Sequence, residues 1–120
     1  LSPRALGYRN TCNDGFIVCM DDPADPKSAR IAADGLGYTN EIAFDPGGQW
    51  LYVNETYGRR LKRFPIRGGA TDWTLGAPEV VHQFSDGDFP DGLAFDAEGG
   101  VWVACVFRAV AASDTMKAMR

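Results

Sequence analysis

One polar-led segment occurs twice in the chain, and this repetition limits the fold more than any other feature. Residues 40–54 and 91–103 each begin with a polar side chain, alternate apolar and polar residues, pass a glycine-rich turn and end in a second apolar run. Alternation with a period of two predicts strands, and the turn joins each pair of strands into a hairpin. Asn40 and Asp91, which open the two copies, are 51 residues apart (91 − 40).

This repeat distance suits one four-stranded blade of a β-propeller, which takes about 40–50 residues. The segment between the two copies can complete such a blade, because residues 59–66 and 79–84 also have strand patterns. Two more strand patterns, residues 15–21 and 29–33, precede the first copy. We therefore predict an all-β fold: a β-propeller segment with one complete four-stranded blade between two half blades.

The chain is predicted to be a single partial propeller domain over its 120 residues. Residues 1–13 have no strand pattern and form an irregular lead, whereas residues 14–106 contain the blade repeats. Residues 107–120 are rich in alanine and methionine and predict a helical or frayed tail.

The net charge limits the classes of binding partner, and the cysteine content indicates the cellular compartment. The net charge is −4, which disfavours nucleic acid and anionic membrane surfaces, because both bind a basic face. No apolar run is long enough to cross a bilayer. The three cysteines, an odd number without metal-site spacing, argue against a disulfide framework and favour a reducing compartment, so we expect a cytoplasmic protein.

Two residues are candidates for a metal site. Asn40 and Asp91 each come directly before an inner strand of successive repeats, so their side-chain oxygens could converge in the central channel of a propeller. A carboxamide and a carboxylate are oxygen donors suited to Ca²⁺ or Mg²⁺. The alternative is that both are ordinary turn residues, a common use of Asn and Asp.

Other chemistry-bearing residues have weaker signals. His82 lies within a strand pattern without a serine or cysteine at motif spacing, so it is not expected to act in catalysis. Asp86 and Asp88 flank a glycine, a pattern that is also common in loops. Tyr38 lies two residues before Asn40, where it could line a substrate pocket or simply pack against a loop.

Three stretches together resemble the senescence marker protein/gluconolactonase/luciferin-regenerating-enzyme family. They are residues 35–40, residues 50–56 with the arginines that follow, and residues 90–104. The resemblance covers about residues 14–106. It implies a six-bladed propeller with one divalent cation in the channel, usually Ca²⁺, with Mg²⁺ or Zn²⁺ as alternatives. Members of the family mostly hydrolyse lactones, and a related branch hydrolyses phosphotriesters.

The resemblance also implies roles for individual residues. The family binds its cation through a Glu, two Asn and an Asp; Asn40 matches the second Asn, and Asp91 matches the Asp that is also the candidate general base. Asn13 is a poor match for the first Asn, because it lies 27 residues (40 − 13) before Asn40, about half a blade. Glu41 replaces a glycine found in many members and could bind the cation or face solvent.

These observations predict a lactonase-like hydrolase that uses a channel-bound divalent cation to hydrolyse a small lactone or ester. One alternative is a non-catalytic or truncated propeller module that needs other chains to complete the ring, because six blades require about 300 residues. A homo-oligomer could then cover the exposed sheet edges. Another alternative is a phosphotriesterase-type hydrolase.

Overall fold

A computed structural model of the chain describes residues 13–107 and 116–119. Ten strands lie in this part of the chain, together with one short 3-10 helix, Pro26–Ser28. The strands are β1 Gly15–Met20, β2 Ala29–Leu36, β3 Thr39–Phe44, β4 Trp50–Glu55, β5 Arg60–Arg67, β6 Thr74–Leu75, β7 Glu79–Gln83, β8 Asp88–Phe95, β9 Val101–Phe107 and β10 Met116–Met119. All paired strands are antiparallel.

The predicted complete blade is present as a central sheet. Strands β3, β4, β5 and β7 follow one another across this sheet, and each pairs with the next. The two-residue strand β6 also pairs with β5, at Ile66 and Arg67. This arrangement confirms the all-β prediction and adds a short strand between the two predicted strands at residues 59–66 and 79–84.

Two smaller sheets flank the central sheet, as the half-blade prediction requires. Strands β1 and β2 form a pair before it, and β8, β9 and β10 form a three-stranded sheet after it. Strand β10 corrects the predicted helical or frayed tail, because Met116–Met119 pair with β9. Strand pairing satisfies the backbone groups on the edge of β9, and helix propensity is too weak to oppose that gain. Residues 108–115 and Arg120 lie outside the described residues.

The hairpin turns of the two copies are built in the same way. Asp45 Oδ1 accepts hydrogen bonds from the N–H groups of Gln49 at 2.8 Å and Trp50 at 2.9 Å. Asp96 Oδ1 accepts the matching bond from the N–H of Gly100 at 2.7 Å. Glycines at positive φ complete both turns, Gly48 and Gly99. The sequence repeat is therefore a structural repeat.

Strand β4 packs against both flanking sheets. Its residues 51–55 are all buried, which requires cover on both faces of the central sheet. Leu51 and Val53 belong to a core shared with the β1–β2 sheet, whereas Tyr52 belongs to a core shared with the β8–β9 sheet. The first core contains Ile17, Leu36, Leu51, Val53 and Phe64; the second contains Tyr52, Leu61, Phe84, Val103 and Cys105.

The outer faces of the flanking sheets are apolar and exposed. Phe16, Val18 and Met20 on β1 are 53%, 50% and 44% exposed. Trp102 on β9 is 42% exposed. Val103 and Cys105 on the same strand point to the covered face of the sheet. Within the described residues no sheet covers the opposite face, which carries Trp102. Among these residues, the structure also contains no helix long and apolar enough to cross a membrane.

The double cover of β4 makes a stability prediction. Val53 is fully buried, whereas Val80 on β7 is 51% exposed. Val53→Ala should lower the free energy of unfolding by about 2 kcal/mol, because each buried carbon contributes about 0.8 kcal/mol and a cavity remains. Val80→Ala, the matched control, should change it by less than about 0.5 kcal/mol. Urea denaturation measures both, and equal losses would contradict the described packing.

Candidate functional site

Asn40 and Asp91 occupy equivalent β-bulges. In the first copy, Thr39 pairs with Glu55 but Ile42 pairs with Val53, so Asn40 and Glu41 lie within a register shift. In the second copy, Pro90 pairs with Cys105 and Leu93 with Val103, so Asp91 and Gly92 lie within the same shift. A bulge bends the strand and redirects its side chains, and bulges are enriched beside active sites.

The hydroxyl group of Thr56 joins the two bulges. Thr56 Oγ1 accepts a hydrogen bond from Asn40 Nδ2 at 2.9 Å and donates one to the backbone oxygen of Pro90 at 2.7 Å. Pro90 directly precedes Asp91 in the chain. The structure therefore places Asn40 of β3 and the backbone that precedes Asp91 in β8 around one side chain.

Two further side chains of the first copy hold the second bulge. Asn54 is fully buried, and its Nδ2 donates to the backbone oxygens of Asp91 at 2.8 Å and Gly92 at 3.3 Å. Glu41 Oε2 accepts the N–H of Leu93 at 2.7 Å. The sequence analysis gave two alternatives for Glu41, binding the cation or facing solvent. In the structure its carboxylate is exposed and links the two repeats.

The turn before Asn40 is tied to the end of β4. Tyr38 has a positive φ of 66°, a conformation that is uncommon for a residue with a side chain. Its backbone oxygen accepts the N–H of Thr56 at 2.9 Å, and its ring lies 4.9 Å from that of Tyr57. The preceding N–H, that of Gly37, donates to Glu55 Oε1 at 2.6 Å. These bonds hold the strained turn in place.

Glu55 is a buried carboxylate that two cations neutralise. Arg60 Nε lies 2.6 Å from Glu55 Oε2, and Lys62 Nζ lies 3.2 Å from the same oxygen. Burial alone would raise the pKa of Glu55, but the hydrogen bonds from Arg60 and the N–H of Gly37, with the charge of Lys62, outweigh it. The pKa of Glu55 is therefore below its ordinary value, and the group is ionised at neutral pH.

Comparison with known proteins identifies the family. Residues 8–116 match the family model described as SMP-30/Gluconolactonase/LRE-like region. The chain belongs to this family. The predicted resemblance is thus confirmed over most of the sequence.

Two curated relatives show how much of a family protein the chain represents. It is 32% identical to 6-deoxy-6-sulfogluconolactonase of Pseudomonas putida over 78 residues, which cover 63% of this chain and 26% of that protein. It is 30% identical to Protein STRICTOSIDINE SYNTHASE-LIKE 13 of Arabidopsis thaliana over 90 residues, which cover 75% of this chain and 20% of that protein. The chain therefore spans about a quarter or less of the curated relatives it matches.

A solved structure of luciferin-regenerating enzyme agrees with the fold. The two chains superpose with a TM-score of 0.64 at 17% sequence identity. The match covers 79% of this chain and 30% of the other. At this identity the likeness supports the propeller-type architecture and not a shared activity.

The oxygen atoms of Asn40 and Asp91 are the kind of donor that a hard cation such as Ca²⁺ takes. Asn40 donates a hydrogen bond from Nδ2 to Thr56. Within the described part of the chain, the Oδ1 atom of Asn40 accepts no hydrogen bond. Asp91 is half-buried, and among the same residues its carboxylate accepts no hydrogen bond and forms no ion pair. Both are hard oxygen donors, but Ca²⁺ takes about six to eight of them. The two residues therefore fit as part of a cation site.

The remaining candidates lie elsewhere or have other partners. His82 is exposed on β7, the outer strand of the central sheet, and packs edge-on against Phe84. Asp86 forms an ion pair with Arg59 at 3.4 Å. Asn13 is exposed before β1. In residues 13–107 and 116–119, no group of three His, Cys, Asp or Glu side chains could hold a metal ion.

The basic residues Arg60, Lys62 and Arg63 on β5 form ion pairs with acidic side chains of the same sheet. Arg60 and Lys62 both contact Glu55, and Arg63 pairs with Glu79. The Arg63 guanidinium also lies 3.9 Å from the centre of the Trp50 ring. Each of these three positive charges therefore has a carboxylate partner within the sheet.

The electrostatics of Glu55 predict a pH-dependent stability. Because its folded-state pKa is depressed, its ionised form stabilises the fold fully above the unfolded-state pKa of about 4.3. This contribution disappears as the pH falls through the lower folded-state pKa. Glu55→Gln should lower the free energy of unfolding by about 1–3 kcal/mol at pH 7, since hydrogen bonds to charged groups are lost.

The loss should begin to shrink as the pH falls below about 4.3, where the unfolded-state carboxylate becomes protonated, and should vanish below the folded-state pKa. Urea denaturation between pH 3 and pH 8 measures the difference. Asp34→Asn is the control, because Asp34 is exposed and forms no ion pair in the described part of the chain. A loss for Glu55→Gln that is the same at every pH would contradict the ionised-carboxylate account.

Proposed function

We propose that this chain supplies part of the active site of a lactonase-like hydrolase that hydrolyses a small lactone or ester with the aid of a divalent cation. The supporting observation is the pair of equivalent bulges at Asn40 and Asp91, which the Thr56 hydroxyl joins through Asn40 and the backbone of Pro90. Family membership supports the reaction class, since a relative named 6-deoxy-6-sulfogluconolactonase is 32% identical to this chain over the matched residues.

The two site residues have distinct roles in this proposal. Asn40 Oδ1 and the Asp91 carboxylate would both bind the cation, for which we propose Ca²⁺, with Mg²⁺ or Zn²⁺ as alternatives. When bound, the cation polarises the carbonyl group of the substrate and makes a nearby water more acidic. Asp91 accepts the proton of the attacking water as general base. No hydrogen bond or ion pair within the described residues competes for its oxygens.

The surroundings of Asn40 offer one side of a substrate pocket. Tyr38 and Tyr57 pack together at the end of β3, with ring centres 4.9 Å apart. Aromatic faces suit the apolar ring atoms of a small lactone, whereas its polar groups would be directed to the cation. The further ligands that such a cation requires would be waters in this chain alone and residues of other blades in a complete ring.

A second candidate is a propeller module that completes its ring with further sheets, without catalysis by this segment. The exposed apolar faces of β1 and β9 favour it, because Phe16 and Trp102 remain 53% and 42% exposed. A homo-oligomer is one way to cover these faces. The two proposals, a hydrolase and a non-catalytic propeller module, differ in whether Asn40 and Asp91 bind a cation.

Calorimetric titration of the 120-residue chain with Ca²⁺ tests the proposal. Saturable binding is expected for the wild-type chain, and Asp91→Asn should weaken it at least about tenfold, because a lost charged ligand exceeds the 1.4 kcal/mol of one decade. Asp34→Asn is the matched control, because Asp34 is an exposed carboxylate on β2 and lies in neither bulge. Binding that Asp91→Asn leaves unchanged, or absence of binding, would favour the module.

A substrate panel then separates the reaction classes. In the presence of Ca²⁺, we expect δ-gluconolactone or an aryl ester to be hydrolysed faster than an aryl phosphotriester. Asp91→Asn should reduce the rate of hydrolysis to the uncatalysed rate. Preference for the phosphotriester would assign the chain to that branch of hydrolases. Release of acid, followed at constant pH, measures all three substrates.

A further inference from the structure

The hydroxyl group of Thr56 fixes which way the amide of Asn40 points. A hydroxyl has one hydrogen to donate, and that of Thr56 is directed to the backbone oxygen of Pro90 at 2.7 Å. Towards Asn40 it can therefore only accept, so Asn40 must present its NH₂ group, at 2.9 Å. As a result, Asn40 Oδ1 is turned away from Thr56 and is available to a cation.

The same hydroxyl also binds the backbone immediately before Asp91. Pro90 is fully buried and has no N–H of its own, so its backbone oxygen is the hydrogen-bonding group that can anchor it. Asn54 binds the next two backbone oxygens, those of Asp91 and Gly92. Three consecutive carbonyl groups of the second bulge are thus held by two side chains from the end of β4.

The second copy of the repeat lacks both side chains at the matching positions of its own hairpin. Because Glu55 and Cys105 occupy matching positions in the two ladders, Thr56 corresponds to Val106 and Asn54 to Ala104. Neither valine nor alanine has a polar side chain, yet the second copy forms the same bulge. Of the two copies, only the first therefore carries the hydroxyl and amide groups, and there they connect Asn40 to the backbone around Asp91.

We propose that Thr56 is a positioning residue that couples the two candidate cation ligands. It orients the amide of Asn40 and fixes the backbone from which the Asp91 side chain extends. This inference rests on the proposed cation site, and it adds that the geometry of the site is set before any cation binds. Side chains that orient metal ligands typically change metal affinity about 10–100-fold when they are removed.

Three variants separate this role from a general effect on folding. Thr56→Val keeps the shape of the side chain but removes the hydroxyl, and Thr56→Ser restores the hydroxyl. Thr39→Val is the matched control, because the Thr39 hydroxyl is buried beside Asn40 and has no hydrogen-bond partner among the described residues. Thermal unfolding of each variant establishes that it is folded before the other measurements are made.

The first measurement does not depend on a cation. The NMR order parameter of the Asn40 side-chain NH₂ group, assigned with Asn40→Asp, should be high in the wild type, in Thr56→Ser and in Thr39→Val. It should fall to a value typical of a flexible group, below about 0.6, in Thr56→Val. An Asn40 amide that stays equally ordered in Thr56→Val would overturn the inference, whatever the chain binds.

The second measurement is the affinity for Ca²⁺ by calorimetry. Thr56→Val should weaken binding about tenfold or more, whereas Thr56→Ser and Thr39→Val should stay within about twofold of the wild type. If Thr56→Val loses Asn40 order but keeps its affinity, the coupling to the cation site is refuted and the proposed function survives. If the wild-type chain binds no Ca²⁺, the proposed function fails, and the order parameters alone decide whether Thr56 orients Asn40.

Discussion

The packing of strand β4 between two sheets is the constraint on which the rest of the structure depends. A strand that is covered on both faces has no solvent-facing side chains, and residues 51–55 are accordingly all buried. Successive side chains enter alternate cores, so a shift of β4 by one residue would exchange the two interfaces completely. The register of β4 therefore sets the positions of both neighbouring sheets.

The same alternation continues into the polar end of β4 and builds the candidate site. Glu55 faces the preceding sheet and binds the N–H of Gly37, whereas Asn54 faces the following sheet and binds the backbone of Asp91. Thr56 then connects Asn40 to Pro90. Asn54, Glu55 and Thr56 are thus held by the packing of β4 and in turn hold the segments around Asn40 and Asp91. Rigid packing, rather than the loops themselves, therefore positions the two oxygen donors.

The sequence predicts the features that have a period and misses those that depend on pairing between distant segments. The 51-residue offset predicted the blade and its hairpins, because turn residues such as Asp45 and Asp96 act locally. Strand β10, the exposure of Trp102 and the hydrogen bond of Glu41 were not predicted, because each depends on what lies beside it in space. The bulges depend on the register between paired strands, for which a single sequence contains no direct signal. The role of Thr56 depends in turn on the bulges, so it could not be predicted either.

The central claim is that Asn40 and Asp91 lie beside one shared cation, and paramagnetic NMR tests it most directly. Mn²⁺ prefers the same carboxylate, carbonyl and water ligands as Ca²⁺ and broadens the signals of nearby nuclei. The account predicts that the Asn40 side-chain amide and the backbone amide of Asp91 lose intensity together at the same Mn²⁺ concentration, and that added Ca²⁺ restores both. Broadening of only one of them, or of neither, would contradict it.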